Sequence, residues 1–402
     1  MNGKKWMVAV LAAVAASAQP SVEIPKTYEL DGRLLVQLKD QRDSMIVKQA
    51  RSEADKAMHA EPFTVTSKSQ LPPSGDRHDY MSLAPYFWPN PSTPNHLPYV
   101  RRDGEHNPQA NSIPDHANIF KMEDAVHALA LGFALTGREE YAARATLLIR
   151  TWFLNPQTRM NPNLRFAQAV LGVNEGRGTG ILEARGLPDV TDAIAMLRDS
   201  PSWTQADESG MKSWFDEYYQ WLTTSDNGRD EAKAKNNHGS WYDFQAVGIA
   251  LFLGRQGDAR AMLMDARTKR ISLQIQADGR QPLELARTKS FGYCVFNVDA
   301  LMRLADLGER VGVDLWKYQA PNGGSIRVAL DYLIPFAVQT QHWTYEDITG
   351  FDGDSLKTPL LRAAVHFHGP EYLGASNRLK GKDTVETMIL RTQLKPQTSL
   401  GE

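Results

Sequence analysis

A single cysteine, Cys294, in a chain of 402 residues rules out an internal disulfide, so packing alone must hold the protein together. Charge of one sign is also lacking. The formal net charge of -2 argues against broad adhesion to nucleic acid or to a membrane surface, and a polyanionic ligand would need a local basic groove. Beyond the first residues, no uninterrupted apolar run approaches the roughly twenty that a spanning helix requires. Alternating patterns of half-buried strands are scarce. What remains is a helix-rich globular protein whose 42% apolar content supports a substantial core. Cys294, set among Phe291, Tyr293, Val295 and Phe296, reads as a buried, inert thiol.

The chain opens with Lys4 and Lys5, an apolar run from Trp6 to Ala15, and the small residues Ala16-Ser17-Ala18. That pattern predicts a signal peptide over residues 1–18 and a soluble periplasmic or secreted protein starting near Gln19. No cysteine follows the cleavage site, so neither a lipid nor a membrane anchor is expected. The remainder, 19–402, is read as one domain and as a monomer.

Helical periodicity dominates from about residue 116. Ile119, Met122, Val126, Leu129, Phe133 and Leu135 mark one amphipathic helix ending at Gly137, and Tyr141, Ala145, Leu148, Ile149 and Trp152 mark its partner, ending before Asn155-Pro156. Further helices are predicted over 204–224, 240–253, 258–276, 290–311, 325–338 and 356–366, most of them separated by Gly or Pro. Serial helical hairpins of this kind build either an α-solenoid or a closed α/α toroid.

Residues 71–115 differ. They are crowded with proline and with Tyr80, Tyr86, Phe87, Trp88 and Tyr99. A long loop within a domain is usually functional or disordered, and the aromatics argue against disorder. Sugar rings present C–H faces that stack on aromatic side chains, so this segment is expected to cover a glycan cleft, with Tyr86 and Trp88 as substrate contacts. The glycine-rich stretch from Asn174 to Gly186 lacks the Gly-Lys-Ser/Thr ending of a phosphate-binding loop, and no strand pattern precedes it. Its Arg177 either grips a substrate carboxylate or pairs with Glu175 or Glu183.

The chemistry-bearing residues gather in two places. Asn237, His238 and Tyr242 stand at the mouth of a predicted helix, and about fifty residues later come Glu284, Arg287 and Tyr293. Eliminative cleavage of a 4-linked uronate removes the proton at C5, which is very weakly acidic while the adjacent carboxylate is charged. Asn237, His238 and Arg287 can neutralise that group, helped by the helix dipole. Tyr293 can take the proton and return it to O4 in a syn elimination, provided that Arg287 favours its phenolate. His238 is the alternative base, for an anti elimination. The six-residue step from Arg287 to Tyr293 is not a same-face helical spacing, so a helix start is predicted between them near Ser290–Gly292. Tyr242 and Glu284 are read as substrate contacts or as partners behind the catalysts, and His342, with Trp343, Tyr345 and Glu346, as a subsite or a helix-end cap.

Asn236-Asn237-His238 at a helix start, the run Arg280-Gln281-Pro282-Leu283-Glu284, and then Arg287 and Tyr293 together resemble the alginate lyase superfamily, most of all polysaccharide lyase family 38. The similarity runs from about Asp79 to His366. It implies an all-α fold, an (α/α) toroid or incomplete barrel of helical hairpins with a long cleft, in which Asn237, His238, Arg287 and Tyr293 match the family's Asn, His, Arg and Tyr. It also implies an acidic polysaccharide as substrate (polymannuronate, mixed alginate or glucuronan) and neither metal nor cofactor. Two other functions suit the same pattern. One is a glycoside hydrolase using Glu175 or Glu183 with Asp243 or Glu284; the other is an exported protein that binds glycan without cleaving it.

Overall fold

Helix Asn237–Phe252 has no polar face: every residue in it except His238 is buried. A helix that is apolar on all sides belongs inside a protein, with other helices around it. The computed structural model, which describes residues 24–394, places it in such a setting. The leader predicted over 1–18 lies outside the described residues.

Five helices form the inner wall: α1 (Asp115–Thr136), α2 (Leu187–Leu197), α3 (Asn237–Phe252), α4 (Ser290–Glu309) and α5 (Lys357–Phe367). Each packs against the next in chain order. Helix α5 then meets Val385–Gln393, which touches Met45–Ala57, and that helix returns to α1. The circuit is an (α/α) toroid. Outer helices double the wall: Glu139–Ile149 lies on α1, Gln256–Ala266 on α3, Ile326–Ala337 on α4 and Pro370–Arg378 on α5. Cys294 is buried in this wall, where desolvation pushes its thiol well up, as expected of an inert side chain. No described helix is long and apolar enough to cross a membrane.

Two boundaries depart from the sequence reading. The helix expected over 258–276 leaves α geometry after Ala266 and continues as a π-turn over Arg267–Ser272. Helix α3 begins at Asn237, three residues earlier than predicted. Asn236 makes no side-chain cap there, and the cap comes instead from a residue far along the chain.

The Pro- and aromatic-rich segment is ordered, with three of the four short strands. Strand β1 (Met81–Leu83) runs parallel to β4 (Phe166–Ala169), while β2 (Phe87–Trp88) and β3 (Val100–Arg101) form an antiparallel ribbon. Strand β4 precedes the glycine-rich stretch, where none had been expected. The glycines there serve close packing, since a Cβ on Gly180 would lie 2.5 Å from that of Ala167.

Both ends of the segment are tied by one buried ion pair. Lys68 Nζ lies 2.9 Å from Asp115 Oδ2 and also donates to the Arg77 carbonyl, while Asp115 accepts the Met81 N–H at 3.0 Å. Burial pushes the Asp115 carboxyl up to about 6 against the pull of Lys68. Replacing Lys68 by Met leaves that carboxylate unpaired. The expected loss is largest at alkaline pH, about 3–5 kcal/mol in urea unfolding, and shrinks as pH is lowered toward about 6, because without Lys68 the buried carboxyl takes up its proton above the wild-type value. A loss that did not vary with pH would place the cost elsewhere.

Candidate active site

Four of the described N–H groups at any helix start lack partners within the helix, and inside a protein such groups must be satisfied from outside. For α3 the partner is Glu284, on the short helix Pro282–Leu285. Its carboxylate accepts the backbone N–H of Asn237 at 2.6 Å and the side-chain amide Nδ2 of Asn237 at 2.7 Å. Burial raises the Glu284 carboxyl, and the two bonds from Asn237 oppose that shift. Asn237 is 0% exposed. The sequence had it donating to a sugar carboxylate, whereas the structure gives its amide to Glu284 and keeps it below the surface.

His238 is the one residue of α3 that reaches the open side, with 19% of its side chain exposed. Its Nδ1 lies 2.6 Å from Oε1 of the buried Glu231, at the end of helix Asp226–Ala232. Donation from Nδ1 fixes the ring and leaves Nε2 for the cleft.

The connection into α4 carries Arg287, and α4 itself carries Tyr293, with the helix start at Ser290 where the spacing placed it. The Arg287 guanidinium carbon lies 3.8 Å from the centroid of the Tyr293 ring. Arg287 also forks onto Asp103, with Nε 2.9 Å from Oδ2 and Nη2 2.9 Å from Oδ1. The Tyr293 hydroxyl donates to that of Tyr86 at 3.0 Å, which brings the aromatic segment onto the expected base. Burial first, and then the bond to Tyr86, raise the Tyr293 phenol above its ordinary value; Arg287 pulls it down and is outweighed. The expected direction of the Arg287 influence is right, but desolvation is larger.

These groups share one field. The Glu284 carboxyl feels both Arg287 and His238, and Arg177 feels both Arg101 and Glu231. Lys289 Nζ stands 5.7 Å from the Tyr86 ring centroid, and Arg102 lies 5.1 Å from that of Trp88. Cations and carboxylates alternate around these rings, Arg101 pairing with Asp103 at 2.6 Å and Arg102 with Glu105 at 3.7 Å. Trp88 is half-buried, its indole N–H given to the Glu105 carbonyl at 3.0 Å. Arg177 is tied to neither Glu175 nor Glu183. Its Nη2 donates to Gln168 Oε1 at 2.8 Å and its guanidinium lies 4.9 Å from the Phe87 ring centroid.

Other assignments change. Tyr242 is packed behind the site, its hydroxyl donating to the Leu222 carbonyl at 3.1 Å, so it is not a substrate contact. Glu284 is likewise buried, and both its oxygens serve Asn237. His342 is exposed; its neighbour Trp343 is buried, and the Trp343 indole N–H donates to Ser290 Oγ at 2.9 Å, pinning the start of α4. The carboxylates considered for hydrolysis are mostly engaged. Glu183 accepts from Tyr80 and Ser82 at 2.7 and 2.6 Å, and Asp243 is buried against Arg270 at 2.8 Å. Of the four, Glu175 alone is exposed.

Three residues at the site had escaped notice: Asp103, Glu231 and Gln168. The charge run Arg101-Arg102-Asp103 closing the aromatic segment was a usable signal for the first. Glu231, seven residues before His238 and on another helix, offered none. Gln168 adopts φ +52°, a strained conformation for a residue with a side chain, which no sequence pattern announces. Among the described residues, no group of three or more His, Cys, Asp or Glu side chains is arranged to hold a metal.

A helical toroid whose cleft joins a phenol, a guanidinium and an anchored imidazole is the framework of a polysaccharide lyase. Comparison with known proteins agrees. The alginate lyase family profile matches residues 64–343. The crystal structure of an alginate lyase from Bacteroides ovatus superposes with a TM-score of 0.87 at 34% identity, covering 91% of this chain and 99% of that one. Alginate lyase A1-III from Sphingomonas species A1 shares the fold at 17% identity, with a TM-score of 0.53 over 84% of this chain and 95% of that one. A variant of A1-III complexed with a tetrasaccharide gives 0.57 at 18% identity, over 87% and 94%. Among curated proteins there is no match. The chain belongs to the alginate lyase family.

Glu284 anchors the site from beneath. Glu284→Ala should cost about 1–3 kcal/mol, because it strands a buried N–H and a buried amide. It should also reduce turnover at least about tenfold by loosening the start of α3. Wild-type turnover in this variant would show that His238 needs no such support.

Proposed function

We propose that the protein cleaves a 4-linked uronate polymer, polymannuronate or mixed alginate or glucuronan, by β-elimination in the periplasm or outside the cell. The contact of Arg287 with the Tyr293 ring, and of the Tyr293 hydroxyl with Tyr86, carries this reading. It joins a proton-transfer group to a permanent cation, with the exposed Arg101 and Arg102 next to Asp103 in sequence. The polymer named for the relatives is acidic.

In the proposed reaction His238 Nε2 quenches the C6 carboxylate, so that charge can spread onto it as the C5 proton leaves. Asn237 serves from below, holding the start of α3 with Glu284. Tyr293 Oη takes the C5 proton, the electron pair forms the C4–C5 double bond, and the C4–O4 bond breaks. The same hydroxyl then returns the proton to O4. Mannuronate and glucuronate share the configuration at C4 and C5, so one syn-acting tyrosine can serve either polymer. Tyr86, Trp88 and Arg177 are assigned to sugar contacts, and His342 to the rim.

Tyr293→Phe and His238→Ala should each lower kcat about 10²–10⁴-fold with unchanged circular dichroism. The assay is the near-ultraviolet absorbance of the unsaturated product on polymannuronate, polyguluronate and glucuronan. Cleavage without that absorbance would point to hydrolysis, and full activity of Tyr293→Phe would remove the proposed base.

The pH profile offers a separate check. A base held above its ordinary value gains its active form as pH rises, so kcat should still be climbing between about pH 7 and 9. A rate that fell across this interval, in a protein that stays folded, would contradict a tyrosine base.

A further inference from the structure

In the elimination scheme suggested by sequence, Arg287 was one of three groups meeting the substrate's carboxylate. Its surroundings describe another task. One edge of its guanidinium, the Nε and Nη2 side, is already given to a carboxylate of this chain, and its side chain is only 13% exposed. Asp103 is itself held from several sides. The Thr288 hydroxyl donates to the Asp103 carbonyl at 2.8 Å, the Thr288 N–H approaches Oδ2 at 3.3 Å, and Arg101 donates to Oδ1 at 2.6 Å. Next to it, Gly104 has φ +73°, and a Cβ there would stand 2.3 Å from the Thr288 hydroxyl. The backbone can pass this close because the residue is glycine. Arg287 and the hydrogen bonds it makes hold the Asp103 carboxyl well below the usual carboxylate range, against the opposing effect of burial. A substrate carboxylate would have to displace an ionised, multiply bonded group to reach the same fork.

Resting on the lyase reading above, we propose that Asp103 is a positioning residue for the elimination: it holds the Arg287 guanidinium against the face of the Tyr293 ring, committing that cation to the phenol and leaving the substrate carboxylate to His238. A cation over a tyrosine face is attracted to the ring, and still more to the ring once it carries phenolate charge. The planar fork suits both contacts, because its Nε and Nη2 edge can bond to Asp103 while its carbon stays over Tyr293. Asp103 also repels the phenolate, but its influence on Tyr293 is smaller than the opposite one from Arg287. Positioning the cation therefore outweighs adding the anion.

The isosteric variant Asp103→Asn separates the possibilities. It is expected to lower kcat about tenfold or more with KM changed less than about threefold, and to displace the rise of kcat with pH toward higher pH. Arg287→Lys should show the same pattern. If Arg287 instead waits for the substrate carboxylate, Asp103→Asn will free it, and KM will fall or kcat will rise; either result overturns the proposal, as does an unchanged kinetic and pH profile. A crystal structure of Asp103→Asn supplies a readout without turnover: the guanidinium should leave the Tyr293 ring, and its remaining at about the present distance refutes the positioning role. Wild-type inactivity on every uronate polymer would sink the lyase reading, while that structure would still decide what Asp103 does to Arg287.

Discussion

The site depends on one constraint, that a helix buried along its whole length cannot begin with bare N–H groups. Helix α3 is such a helix, and Glu284 meets the need with two bonds to Asn237. Everything functional is arranged around this junction. Glu284 belongs to the segment that leads into Arg287 and α4, so capping α3 also brings the second half of the cleft to the first. His238 follows Asn237 and is turned outward by the same helix that hides its neighbours. A structural requirement of the toroid and the placing of the imidazole proposed to act in the elimination are thus met by one carboxylate.

Around that junction the protein uses buried or half-buried carboxylates as holders of cations and amides. Glu231 orients His238, Glu284 orients Asn237, and Asp103 orients Arg287. None of them has to touch a sugar. Negative charge lies beneath the site or behind its cations, while Arg101 and Arg102 are exposed and Lys289 lies over the Tyr86 ring. Desolvation works against the tyrosine base. The phenol is raised, so the reaction needs the guanidinium beside it to offset part of that cost.

Much of this was legible in the sequence, and the rest was not for identifiable reasons. The hairpin series was readable because apolar residues at helical spacing reflect one buried face, and α1 and its outer partner fall where the pattern put them. The start of α3 was misplaced by three residues because its cap is Glu284, a long-range contact that local signals cannot contain. The order of the 71–115 segment followed from its aromatics, yet its strands pair through register that only the folded chain reveals. Chemistry and family resemblance singled out Asn237, His238, Arg287 and Tyr293, and the fold sets Asn237 on Glu284 and Arg287 over the Tyr293 ring. Their partners Asp103 and Glu231 were missed because they act across the fold. For Tyr242 two alternatives stayed open, because a phenol near a helix mouth looks the same in sequence whether it faces the cleft or, as here, the carbonyl of Leu222.

The ring is sealed where helix Val385–Gln393 meets Met45–Ala57. Elements near opposite ends of the described chain therefore form the seam, and Arg303 adds a second tie by gripping Glu29 across the interior. Contacts between such distant parts of a chain form late, because the intervening polypeptide must first be ordered. During synthesis the inner wall can accumulate hairpin by hairpin, but the circle stays open until the final turns have emerged. A nascent molecule is thus an arc with two unmatched edges, and the step most exposed to mispairing between neighbouring chains is the last one.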